Sequence, residues 1–174
     1  MEGRTVQNDQ NNALNSTNSD PAVEFLKTEN QFKSGANWFY WIAALSVINS
    51  MIILFGGEMS FIIGLGITQI VDAVAWELKN SEGINLDYLF FMVSLVISGV
   101  FVIFGYFARK RMTSVFVTGM VLYALDGLIF LLVGDWLSIG FHVFVLFSLL
   151  NGLKALKMIN ASYQPELSMN KPIG

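Results

Sequence analysis

From residue 37 to residue 156 the chain is a series of apolar runs separated by short polar breaks, and this pattern constrains the fold more than any other feature. The runs cover 37–55 (NWFYWIAALSVINSMIILF), 61–78, 88–108, 114–133 and 137–156. Each approaches the roughly 20 residues that carry a helix across the hydrocarbon core of a bilayer. Backbone polar groups find no water there, so a spanning segment must satisfy them internally. Barrel strands would alternate apolar and polar residues, and these runs are apolar on every face. The expected fold is all-α: a polytopic membrane protein of five transmembrane helices, with the lipid bilayer as its surroundings. The breaks GGEMS and GDWLS leave room only for tight turns. Spans 1–2 and 4–5 are therefore expected as two short hairpins around a central third span.

Composition agrees. Only 13% of the residues are charged, whereas 54% are hydrophobic, and soluble domains sit nearer a quarter charged. No cysteine is present, which excludes disulfides, thiolate zinc sites and cysteine nucleophiles. The net charge of -3 and the lack of a basic run give no reason to expect a nucleic-acid partner.

Four regions follow. Residues 1–20 are polar, rich in Asn and Gln, and lack the apolar core of a signal peptide; they read as a disordered tail. Asp20-Pro21 is a helix start, with Asp as N-cap and Pro at the first helical position. Residues 21–36 then read as a juxtamembrane segment, with Ala22, Phe25, Leu26 and Phe32 on one face of an interfacial helix. Residues 37–157 are the five-helix membrane domain, opened by Trp38, Tyr40 and Trp41 at an interface. Residues 158–174 form a C-terminal tail.

Lys and Arg near span ends set orientation. Five crossings place Arg109, Lys110, Arg111, Lys154 and Lys157 on one side, against Lys27, Lys33 and Lys79 on the other. The N-terminus is expected outside and the C-terminus in the cytoplasm of a cell-membrane protein. A faint internal echo relates 38–60 to 115–137: Phe39, Leu45, Ile52, Leu54 and Gly57 match Phe116, Leu122, Ile129, Leu131 and Gly134. With one helix between the hairpins, a true repeat here would be inverted.

Polar residues inside the runs are Asn49, Gln69, Asp72, Tyr123, Asp126, His142 and Asn151. An unpaired charge at the bilayer centre costs from about 3 to more than 10 kcal/mol, so these groups must face partners or water. At about 1.5 Å per residue, Asp72 and Asp126 each lie about 10–12 Å from the second and fourth loops, and His142 about 8–9 Å. The candidate binding cluster is therefore Asp72, Asp126 and His142, with Gln69 and Tyr123 beside the carboxylates. Asn151 falls on the face opposite His142. Gly64, Thr68 and Asp72, spaced i, i+4, i+8, form a stripe of small and polar residues suited to helix contact.

Catalytic chemistry finds little support. Ser98-Gly99 lacks the preceding glycine of a serine nucleophile, and Gly134-Asp135 follows Leu-Val rather than the Gly-x that intramembrane aspartyl proteases carry. One histidine without cysteine makes no conventional metal site, although His142 with two carboxylates has the donors for a cation. No phosphate loop or nucleotide fingerprint occurs, so no cofactor is implied and no enzyme is expected. Two readings remain. One is a small transporter- or channel-like protein with a buried polar site, compatible with a homo-oligomer. The other is a non-catalytic membrane scaffold or assembly protein whose polar residues link helices.

Overall fold

Asp20 caps the first helix as its type and position suggest, its carboxylate accepting from the Ala22 amide at 2.9 Å. The computed structural model describes residues 20–55, 64–83 and 86–169, with side chains through residue 162. Within them the chain is helical, with no strand: α1 (Pro21–Leu54), α2 (Gly66–Glu82), α3 (Asp87–Arg109), α4 (Thr113–Val133) and α5 (Trp136–Met169). The expected tail 1–20 lies outside the described residues except for Asp20, as do residues 56–63 of the first turn and the second run.

Four helices, α1, α3, α4 and α5, are long and apolar enough to cross a membrane. The boundary expected at residue 36 carries no break: α1 is one helix of 34 residues. Phe32 and Ala36 are buried against the bundle, whereas Ala22, Phe25 and Leu26 at the start of α1 are exposed. At the other end, α5 continues past residue 157 to Met169.

The stops have local causes. α2 and α4 end at Gly83 and Gly134, whose φ of 67° and 71° lie in the left-handed region that glycine enters without strain. Between α3 and α4 the turn is made by Arg111 at φ 63°.

Contacts fix the direction of each helix. On α1, Tyr40 lies against Gly105 of α3, and Ser50 shares a partner with Ser94, so α1 and α3 are antiparallel. Gly35 meets Gly152 while Trp38 packs on Phe141 and Phe144, so α1 and α5 are antiparallel as well. Glu29 lies by Arg111, just before α4, and further along both helices Phe39 stacks edge-on against Phe116 at 5.3 Å, so α1 and α4 run in parallel.

α2 is the exception. Gly64 sits against Ser46, eight residues before the end of α1 and hence about 12 Å back along it. From there α2 returns, and Lys79 and Asn80 line one cavity with Leu54 and Asp87. α2 therefore begins in the middle of the bundle and finishes at the end where α1 stops and α3 starts. Its 17 residues run along only part of the bundle.

α2 is not among the helices long and apolar enough to span a membrane. The start of α1, the α3–α4 turn and the late part of α5 share one end: Arg111 pairs with Glu29 at 3.7 Å, and Asn160 donates to Thr113 at 3.1 Å. The termini were expected at opposite ends, which needs an odd number of crossings. The inverted relation between 38–60 and 115–137 fails for the same reason, since α1 and α4 point the same way.

Candidate functional site

Two polar centres lie inside the bundle, and α2 connects them. The first surrounds its N-terminus. No side chain of α2's own N-cap, Leu65, caps the helix. The cap comes from α4: Asp126 accepts from the Gly66 amide at 2.7 Å and from the Ile67 amide at 2.9 Å, one oxygen each. The exposed first-turn N–H groups of a helix and its positive dipole end favour a carboxylate at this position. Ser46 of α1 accepts from the Leu65 amide at 2.9 Å, and the Thr68 hydroxyl donates back to the Leu65 carbonyl at 2.8 Å.

His142 of α5 completes this centre. Its Nδ1 lies 2.9 Å from the Ser138 carbonyl; a carbonyl only accepts, so the hydrogen-bond pattern assigns a proton to Nδ1. Nε2 reaches Asp126 at 3.2 Å, a bond that requires one further proton between them. The imidazole is stacked on Tyr123 at 4.5 Å and 12°, and Phe130 closes the other approach at 4.9 Å. Gly127 leaves room for the ring: a Cβ there would come within 3.0 Å of His142 Cδ2. Asp126 and His142 are both almost fully buried.

The second centre lies further along α2. Asp72 accepts from the Ser50 hydroxyl of α1 at 2.6 Å and from the Ser94 hydroxyl of α3 at 3.1 Å. It forms part of the wall of a cavity of about 190 Å³ that runs out to Lys79, Asn80 and Asp87. Lys79 and Asp87 form an ion pair of 2.6 Å at that end.

Of the five residues expected to cluster, the structure brings Asp126, His142 and Tyr123 together. Asp72 is elsewhere: its hydrogen bonds go to Ser50 and Ser94, and it lies six residues, about 9 Å of helix rise, beyond the amide that Asp126 caps. Depth counted from loop ends placed the two carboxylates level because it assumed that the second run was a full crossing. Gln69 is half-buried with its Nε2 lacking a protein partner, as do the buried Asn49 amide, Ser98 Oγ and the Tyr123 hydroxyl. Tyr123 therefore meets His142 through its ring face, not Asp126 through its hydroxyl. Asn151 is half-buried and takes no part in either centre.

Ser46, Ser50, Ser94 and Asp135 are site or capping residues that the sequence pattern did not single out. Ser50 and Ser94 bind Asp72, and a signal for Ser94 existed: Ser94, Ser98, Phe101 and Gly105 recur at helical spacing and are the buried face of α3. Asp135, in the GDWLS break, caps α5 through the Leu137 and Ser138 amides and the Ser138 hydroxyl. That hydroxyl and those amides hold its carboxyl below the usual range.

Comparisons with protein families, curated proteins and solved structures return no match.

Proposed function

We propose that this is a small transporter- or channel-like membrane protein whose solute path begins at the Asp72 cavity. The observation that carries the reading is the geometry of α2: a helix that starts inside a bundle of apolar helices, beside a cavity that reaches a buried carboxylate. Interrupted backbone at membrane depth is tolerated only where protein buries it or where it lines a cavity, and such broken helices border the solute sites of many transporters.

In this reading α1, α3, α4 and α5 cross the cell membrane and α2 is re-entrant. Of the eight described Lys and Arg residues, all but Lys79 belong to the end that holds the start of α1, the α3–α4 turn and the late part of α5. The positive-inside rule then puts both termini in the cytoplasm, and the Asp72 cavity opens outward. Asp126 and His142 anchor the α2 terminus and do not touch solute; no catalytic step is assigned.

A non-catalytic scaffold is the second reading, favoured by the full engagement of Asp126 within the protein. Accessibility separates the two, and the chain's lack of cysteine makes single-cysteine variants clean. In sealed vesicles of either orientation, a membrane-impermeant thiol reagent should label Ser50→Cys from outside and, at a lower rate, from inside. A scaffold with a closed floor leaves position 50 reachable from one face at most, and that result would reject transport.

A further inference from the structure

Resting on that reading, we infer that the Asp72 cavity takes a small monovalent organic cation, an ammonium head carrying a short apolar body. Three observations define the ligand. The first is charge. The ionisable groups of the cavity are Asp72, Asp87 and Lys79, and 1 − 2 leaves one negative charge. Lys79 is already held by Asp87 at 2.6 Å and sits seven residues, about 10 Å of helix, from Asp72. The carboxylate at the floor has no cation of its own among the described residues.

The second is the direction of the hydrogen bonds. Ser50 and Ser94 each have one hydroxyl proton, and both spend it on Asp72. What remains of this hydrogen-bonded group is acceptors: the other carboxylate lone pairs and the oxygen of Ser50. A carboxylate ligand there would meet the charge of Asp72 and no free hydroxyl proton; the cavity's other donors, on Trp76, Lys79 and Asn80, lie along its wall. An ammonium group supplies two or three donors and a charge, and such charge-assisted bonds are the strong ones.

The third is the wall. Ala75, Trp76 and Phe91 flank the floor, and an indole or benzene ring attracts a cation while covering its apolar part. The volume of about 190 Å³ is that of about six waters in the liquid, enough for a short alkylammonium. A divalent metal fits poorly, because no group of three His, Cys, Asp or Glu side chains able to hold one occurs among the described residues.

The test uses the full chain in lipid nanodiscs at neutral pH, titrated calorimetrically with ethylammonium chloride. Ethanol serves as the neutral analogue and sodium chloride as the ionic-strength control. Ethylammonium should bind saturably at one site; ethanol and sodium should not. Asp72→Asn, which keeps the shape and removes the charge, should weaken binding by about tenfold or more, as loss of a charged hydrogen-bond partner does. Ser50→Ala should weaken it less. Binding unaltered in a folded Asp72→Asn variant, or no saturable binding of ethylammonium, would overturn the inference. If Asp72→Asn does not fold, the wild type decides alone: ethanol or sodium binding as well as ethylammonium also overturns it. The two readings fail separately, since thiol labelling at position 50 without ethylammonium binding removes the cation and keeps the solute path.

Discussion

Asp126 lies in the middle of an apolar helix, and the reason it is tolerated is an interaction with backbone. Both of its oxygens accept amide N–H groups of α2, and one also meets His142. An amide side chain offers a single acceptor oxygen, so Asp126→Asn loses one of the two caps and should destabilise the protein by about 1–3 kcal/mol. Asp126→Ala strands two helix N–H groups and the imidazole together and should cost about 3–5 kcal/mol. Unfolding midpoints in mixed micelles would measure both; an Asp126→Asn protein as stable as the parent would refute the capping role. Asp135 offers an independent check outside the apolar region. Its cap should be worth about 1 kcal/mol against Asp135→Ala. Because its folded-state carboxyl is lowered, chiefly by the Ser138 hydroxyl, that stabilisation is present above the ordinary carboxylate range near pH 4. It is lost as pH falls through the lowered value. Acid titration of stability should therefore show a smaller low-pH loss in Asp135→Ala than in the parent.

At the scale of elements, α1 and α5 approach more closely than any side chain would allow. A Cβ on Gly152 would lie 2.6 Å from the Gly35 Cα, which in lipid is the contact that small residues exist to permit. Gly152→Ala must push the two longest helices apart and should cost about 1–3 kcal/mol. Gly99 on α3 is the control, since nothing lies within 4 Å of a Cβ there; Gly99→Ala should be neutral or stabilising by less than about 1 kcal/mol. Equal effects of the two substitutions in a denaturation series would contradict the close crossing. The helices themselves were largely legible in the sequence, because hydropathy marks a buried or lipid-facing helix wherever it goes. The Asp20-Pro21 start was legible from its own two residues. The length of α2 was not. Its apolar run has the composition of a crossing helix, and only its neighbours show that the helix starts at Gly66, in the middle of the bundle.

For the whole molecule the consequence is parity. With α2 turning back, four helices run the length of the bundle, and both described termini fall at the end that carries seven of the eight described Lys and Arg residues. Reporters that are active only in the cytoplasm should work when fused at either terminus. Periplasmic activity at the N-terminus would restore a five-crossing arrangement. Neutralising Arg109, Lys110 and Arg111 together should leave this orientation in place, because Lys27, Lys33, Lys154 and Lys157 remain on the same side; mixed topology in that variant would mean the bias is narrower than the structure implies.

What the sequence by itself determined is everything that depends on a residue and its near neighbours. The chain is all-helical and built of apolar segments, and it carries carboxylates inside those segments that need partners. What only the tertiary structure decided is which partners those carboxylates take and which way each helix points. Asp126 binds backbone N–H groups, which every residue but proline possesses, so no side-chain pattern could announce them. The separation of Asp72 from Asp126, and the position of both termini, follow from where one short helix begins, and that is set by a carboxylate sixty residues away in the chain.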